Sequence, residues 1–285
     1  MTTLLPVVDA PAPRVPDLNL DPALAASWLE AFLYDEIVVR RNITRAVLGL
    51  SGGVDSAVVA YLAARALGPK NVHCIRMPYT ASSADSLADA QAVIDDLGCE
   101  AHTIPIAGAV DGYLDLEPDA DARRRGNVMA RTRMLVLFDQ SAKLGALPVG
   151  TGNKTERLMG YFTWHADDSP PVNPIGDLFK TQVWQLARHI GVPERIVAKA
   201  PSADLEANQT DESDLGITYF EADRILSLML EGYDDRKIVA RGIAASDVAL
   251  VRKRVDSTHW KRHLPTTAML SNSAINEFYL RPVDF

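Results

Sequence analysis

The chain has 285 residues, with 29 Lys and Arg against 37 Asp and Glu, a formal net charge of −8 and 47% apolar residues. That apolar content excludes a disordered chain, 17 glycines exclude collagen, and no run of about 18 apolar residues is present to span a bilayer. The acidic balance argues against coating of nucleic acid, so neither a nucleic acid nor a membrane is an expected partner.

Residues 1–20 contain four prolines, no Lys and one Arg. They fit neither a secretory signal nor a transit peptide, which points to a Pro-rich arm on a cytoplasmic protein. Residues 21–285 read as a single domain. Asp21-Pro22 opens a helix, with Asp as the cap and Pro in the first turn, and Trp28, Leu29, Phe32 and Leu33 share a face. Arg45–Leu50 is a short apolar strand. A helix follows from about Asp55 to Leu67, stopped by Gly68-Pro69. Asn71–Pro78 is the next strand, Ser83–Leu97 a helix closed by Gly98, and Ala101–Ile106 a third strand. Residues 119–144 are helical, Leu147–Gly150 is a fourth strand and Asn153–Tyr161 a helix.

Strands alternating with helices predict an α/β fold, a parallel sheet flanked by helices and buried on both faces. Residues 163–177 read as a Pro- and Asp-rich loop. Helices then cover 178–190, 193–199, 218–231 and 246–263, giving a largely helical C-terminal part. The polar segment Pro201–Gly216 reads as a lid. Cys74 and Cys99 are the only cysteines and form no CxxC, so buried free thiols are expected.

The strongest motif is Gly49-Leu50-Ser51-Gly52-Gly53-Val54-Asp55-Ser56, placed after the first strand at the start of a helix. Glycines let the backbone approach a ligand, the free N–H groups at a helix start favour an anion, and Ser51 and Ser56 add hydroxyl donors. Asp55 would repel phosphate unless Mg²⁺ lies between them, and as a ligand on a surface loop its loss should cost the metal with little loss of fold. The loop is neither a Walker A motif nor a dinucleotide fingerprint. Ser-Gly-Gly-Val-Asp-Ser resembles the PP-loop of ATP pyrophosphatases, enzymes that adenylate a carbonyl oxygen and release pyrophosphate.

Further motifs narrow the resemblance. Gly126–Met134, Gly150–Glu156, Gly160–Thr163, Asn173–Thr181, Pro201–Leu205, Gln209–Gly216 and Lys261–Pro265 are similar, in order, to the NAD synthetase family. The resemblance implies a Rossmann-like adenine-nucleotide alpha hydrolase fold and a homodimer, for which Trp28, Leu29 and Phe32 and then Ile225, Leu228 and Met229 supply external apolar faces. It implies a ligase joining ammonia to the nicotinic-acid carboxylate of deamido-NAD, with ATP consumed. It implies that residues 49–56, Arg76, Thr151, Lys180 and Ser202 bind ATP and that Asp55 and Glu156 hold Mg²⁺. Asn127, Arg131, Trp164, Asp167, Trp260 and Lys261 would face deamido-NAD. Asp55, Lys180 and Asp167 would carry the chemistry.

The substrate loop departs from the family pattern Thr-Lys-Tyr-Gly-Asp-Gly-x-x-Asp. Here it reads Thr163-Trp164-His165-Ala166-Asp167-Asp168-Ser169-Pro170-Pro171, so Trp164 stands for the family's Lys and Pro171 for its second Asp. One cation and one anion are lost together, and Trp164 can stack on a ring. Some relatives carry His where Trp260 stands. The alternatives are another PP-loop ligase, such as a tRNA-thiolating enzyme, or a nucleotide-binding module without chemistry. About 40 residues precede the first strand, too few for the amidase domain of glutamine-dependent relatives. Free ammonia, or ammonia from a separate glutaminase, is therefore expected.

Overall fold

A computed structural model describes residues 18–80, 82–202, 210–263, 266–268 and 270. Most of the expected N-terminal arm, the centre of the expected lid at 203–209, and Pro265 lie outside the described residues.

Helix α1 (Pro22–Tyr34) starts as its sequence dictates: Asp21 accepts from the N–H groups of Ala23 and Leu24 at 3.1 and 3.0 Å. It continues into a π-helical turn, Asp35–Val39, that no sequence signal announced. Then follow β1 (Ala46–Gly49), α2 (Val54–Leu67), β2 (Val72–Arg76), α3 (Ala84–Leu97) and β3 (Glu100–Thr103). Next come α4 (Ala107–Leu114), α5 (Ala122–Leu144) and β4 (Leu147–Pro148). Helix α4 was not expected, because Gly108 and Gly112 weaken its helical propensity and only packing secures it.

The strands pair in parallel in the order β3-β2-β1-β4. Side chains alternate between two cores. Ala46, Leu48, Val72 and Cys74 face the core shared with α1, α2 and α7, while Val47 and Ile75 face the core shared with α4 and α5. Burial on both faces therefore holds for β1 and β2. The edge strand β3 instead leaves Glu100, His102 and Thr103 exposed. Strand β4 is shorter than expected, but Val149 pairs with Val172 in a parallel bridge. The segment read as a loop thus returns to the sheet edge.

This order places β2 and β3 on one side of β1 and β4 on the other. The chain reverses direction across the sheet at β1 and β4, and ligands of open α/β sheets bind beyond the carboxyl ends of the strands at such a point. The loop 50–53 leaves β1 there, and residues 150–153 leave β4 there.

The remainder is helical: α6 (Lys154–Met159), α7 (Lys180–Ile190), α8 (Glu194–Val197), α9 (Asp211–Leu215), α10 (Tyr219–Leu230), α11 (Asp235–Val239) and α12 (Ala245–Thr258). A 3₁₀ turn, His259–Arg262, ends this part, where a continuous helix to residue 263 was expected. Helix α9 lies inside the segment read as a lid. Met159, Leu215, Ile225, Leu228, Val248 and Val251 form a separate apolar core under these helices. Ile225 and Leu228 had been expected on an external face, but both are buried there because α10 packs on α7 and α12. Cys74 and Cys99 are free and buried, as expected.

Candidate active site

The loop after β1 is shaped by its own residues. Ser51 Oγ lies 3.1 Å from Ser56 Oγ and accepts from Gly53 N–H at 3.2 Å. Ser56 Oγ donates to the Gly53 carbonyl at 3.0 Å. Both hydroxyls, read from sequence as phosphate donors, thus also fix the turn. Gly52 has φ +84°, and a Cβ there would sit 2.1 Å from the Ser86 carbonyl oxygen at the start of α3, so only glycine fits. Helix α2 has Gly53 as its cap and no side-chain cap bond. Its first N–H groups remain available to an anion.

Three sequence-predicted residues meet here from three elements. Asp55 stands in the first turn of α2, Glu156 in the first turn of α6 and Lys180 at the first position of α7. The Lys180 ammonium is ion-paired to Asp55 and lies 3.8 Å from Glu156. Lys180 is 1% exposed. Burial alone would lower its pKa, but Asp55 and Glu156 outweigh that and raise it. Glu156 is pushed up to about 8 by burial and by the Asp55 charge. The two carboxylates repel, and the ammonium holds them together. Asp55 had been read as part of a simple surface loop; its side chain is only 18% exposed.

Residues missed in the sequence complete this cluster. Asn153 donates from Nδ2 to Asp55 at 3.0 Å and caps α6, where Glu156 reaches back to its N–H at 3.2 Å. That capping box was legible in Asn-x-x-Glu directly after the fourth strand. Tyr219 lies under Lys180, with the ammonium 5.2 Å from its ring centre. Its hydroxyl donates to Asp211 at 2.9 Å, and Tyr161 donates to the same carboxylate at 3.2 Å. Asp211 falls inside the Gln209–Gly216 motif without its role showing there, and no local pattern marked Tyr219, because their partners are brought together only by packing.

The chemistry of this donor set fits Mg²⁺. Two carboxylates offer hard oxygen ligands, and Mg²⁺ is commonly held by one or two carboxylates with substrate phosphates supplying the rest. Among the described residues no group of three or more His, Cys, Asp or Glu is arranged to hold a metal ion, so a cation here would need its remaining oxygens from nucleotide phosphates or water.

Two of the other residues read from sequence as ATP-binding, Arg76 and Thr151, stand at the ends of the strands on either side of β1. Arg76 ends β2 and donates to Gln91 of α3. Thr151 follows β4, held near Asn173, whose side chain donates to the Gly152 carbonyl at 2.7 Å. Ser202 stands just before residues 203–209.

The residues read as dinucleotide-facing gather around 160–167. Thr163 donates from its hydroxyl to Asn127 at 3.2 Å and from its N–H to Asp167 at 2.8 Å. Arg131 donates to the Trp164 carbonyl at 3.1 Å. Lys261 donates to the carbonyls of Gly160, at 2.7 Å, and Phe162. Trp164 packs edge-on against Trp260, ring centres 5.1 Å apart, and against His165 at 3.9 Å. Trp164 and Trp260, two of the positions that depart from the family pattern, therefore form one aromatic corner.

The chain matches the family model described as NAD synthase over residues 26–265. It is 51% identical over 257 residues to the NH(3)-dependent NAD(+) synthetase of Chlorobaculum parvum, covering 90% of this chain and 92% of the relative. Its structure is similar to that of NMN synthetase from Francisella tularensis, with a TM-score of 0.79 and 31% identity, covering 88% of this chain and 99% of that one. It is also similar to the NH3-dependent NAD synthetase of Campylobacter jejuni, with a TM-score of 0.76 and 30% identity, covering 88% and 100%.

Proposed function

The chain belongs to the NAD synthase family, and from that membership we propose that it amidates deamido-NAD with ammonia and ATP, yielding NAD, AMP and pyrophosphate. It is a ligase that forms a carbon–nitrogen bond. The observation that supports this most is the meeting of Asp55, Glu156 and Lys180 at the sheet's reversal point, beside a glycine loop open to an anion. A nucleotide-binding module without chemistry has no need for two carboxylates beside the phosphate site. A sulfur-relay enzyme needs accessible thiols, and Cys74 and Cys99 are buried.

The nicotinate carboxylate is a poor electrophile, so its oxygen first attacks the α-phosphorus of ATP. Pyrophosphate leaves and an acyl adenylate forms. Ammonia then attacks the acyl carbon, and AMP departs with the former carboxylate oxygen. The loop N–H groups and Lys180 neutralise charge that builds on the departing pyrophosphate. Asp55 and Glu156 would hold Mg²⁺, which when bound shares that neutralisation. Arg76, Thr151 and Ser202 bind the rest of ATP. Asn127, Arg131, Trp164, Asp167, Trp260 and Lys261 receive the dinucleotide, with Asp167 placing the nicotinate end or the ammonia. Ammonia arrives free or from a separate glutaminase. Free, buried thiols fit the reducing cytoplasm.

The direct test mixes ATP, Mg²⁺, ammonium and deamido-NAD, and looks for NAD, AMP and pyrophosphate in equal amounts. The similarity to the NMN synthetase of Francisella tularensis makes a second acid worth offering in parallel, nicotinic acid mononucleotide. Product from the mononucleotide alone would overturn the dinucleotide reading.

Trp164→Ala tests the aromatic corner. Stacking of a base or pyridine ring is worth about 1–3 kcal/mol, so the KM for deamido-NAD should rise by about five- to a hundredfold while that for ATP stays unchanged. Asp167→Ala should lower turnover instead. A parallel loss of ATP affinity and thermal stability in Trp164→Ala would show that the ring only supports the loop against Trp260.

We read the protein as a homodimer. Leu24, Trp28 and Phe32 form a stripe along α1, exposed by 58, 69 and 38%, whereas Leu33 on the opposite face is buried. Such a stripe favours a protein partner. Sedimentation should return a dimer mass, and Trp28→Glu should shift it towards monomer. A fully active monomer at micromolar concentration would contradict the dimer.

A further inference from the structure

Helix α7 begins with a cation where the helix dipole disfavours one, since partial positive charge collects at a helix N-terminus. The Lys180 ammonium is answered by Asp55 and Glu156. The backbone at the same helix end is answered separately, by Asp223 of α10.

Asp223 is 0% exposed. Its Oδ2 accepts from the Thr181 N–H at 2.9 Å and from the Thr181 hydroxyl at 2.7 Å. Its Oδ1 accepts from the Thr155 hydroxyl at 2.5 Å. That hydroxyl in turn accepts from the Lys180 N–H at 3.0 Å. One buried carboxylate thus meets the first two N–H groups of α7, one directly and one through Thr155. Thr155 belongs to α6, where it stands beside Glu156 and two residues after the cap Asn153 that donates to Asp55. Burial raises the Asp223 pKa, and the donors from Thr155 and Thr181 work against that rise by stabilising the anion.

We propose that Asp223 is a positioning residue for the phosphate and metal site: by clamping the starts of α6 and α7 together through Thr155 and Thr181, it sets the spacing of Glu156 and Lys180. It reaches the chemistry only through those residues. The inference rests on the reading of Asp55, Glu156 and Lys180 as the site of Mg²⁺ and the ATP phosphates. It needs nothing from the dinucleotide half, where residues 160–167 are held by Asn127, Arg131 and Lys261 instead.

Asp223→Asn keeps the size of the side chain but turns an acceptor into an NH₂ group that faces N–H and O–H donors. Outer partners of a metal site typically cost about 10- to 100-fold when lost. Titration calorimetry of the whole protein with Mg²⁺-ATP should show affinity lower by that factor. Turnover should fall similarly, with the KM for deamido-NAD within about twofold of wild type. Unchanged Mg²⁺-ATP affinity in the folded variant would overturn the proposal. So would an equal rise in both Michaelis constants, the sign of general loosening.

Should Asp223→Asn fail to fold, Thr155 supplies the same test. Thr155→Val removes only the bridging hydroxyl and should weaken Mg²⁺-ATP selectively. Thr155→Ser keeps the hydroxyl and should recover the affinity. Serine behaving like valine, or valine like wild type, would overturn the clamp. Calorimetry needs no second substrate, so wild-type protein that binds Mg²⁺-ATP but makes no NAD would defeat the amidation reading alone.

Discussion

Asp55→Asn is expected to lower pyrophosphate release by about a thousandfold or more, because a bound metal ion contributes several kcal/mol at the transition state and about 1.4 kcal/mol is a factor of ten. The amide keeps the size of the side chain but loses the charge that pairs with Lys180 and would hold Mg²⁺. A cost to stability accompanies it. Asp55 had been placed on a surface loop, where its loss would leave the fold untouched. It is instead the closest counter-charge of an ammonium that is 1% exposed. Breaking a buried pair by removing one partner costs about 3–5 kcal/mol. Glu156 remains 3.8 Å from the same ammonium, so the lower end of that range applies. Rapid-quench measurement of pyrophosphate, with a denaturant melt of the same sample, checks both halves. Wild-type turnover in this variant would remove Asp55 from the metal site.

Lys180→Met should be nearly as damaging, for a reason that also shows in the protein without substrate. Methionine fills the space of the stem but leaves Asp55 and Glu156 facing each other with no cation between them. The loss of a buried partner should destabilise the protein by about 3–5 kcal/mol. Turnover should fall by about a hundred- to a thousandfold, the usual result of removing one group that stabilises developing charge. Mg²⁺ then acts as a substitute counter-charge. A cation that binds only the folded state raises stability by mass action, so Mg²⁺ should raise the melting temperature of Lys180→Met more than that of wild type. Equal Mg²⁺ effects on both proteins would separate Lys180 from the carboxylate pair. Replacing Lys180 by Arg is a poor rescue, because a planar guanidinium does not fit a niche shaped for a point charge above the Tyr219 ring.

The half of the candidate site read as nucleotide-binding was legible because its signals are local. Gly52 must be glycine for a reason that acts within a few residues, its positive φ, and the position of Gly49–Ser56 between a strand and a helix is readable from apolar runs alone. Glu156 could be read together with Asn153 as a capping box, which also spans one turn. The half read as dinucleotide-binding was named only through its resemblance. Nothing in the periodicity of the chain joins Trp164 to Trp260, 5.1 Å apart in space and separated by most of the helical C-terminal part.

The sequence by itself determined the β–α alternation, the glycine loop at the start of α2, and the caps that begin α1, α3 and α6. Each of these follows from backbone sterics, capping or apolar spacing over a few residues. Only the tertiary structure decided that β4 lies on the far side of β1, which puts the loops after those two strands into one crevice. Only it decided that α4, with its two glycines, is a helix. It also decided that Ile225 and Leu228 are internal while Trp28 faces outward, since an apolar helix face carries no label for its partner. The clamp of Asp223 on Thr155 and Thr181 belongs to the same class. A lone aspartate in an amphipathic helix reads as a solvated charge until packing excludes water from it, and then the only groups left to satisfy its oxygens are the starts of two other helices.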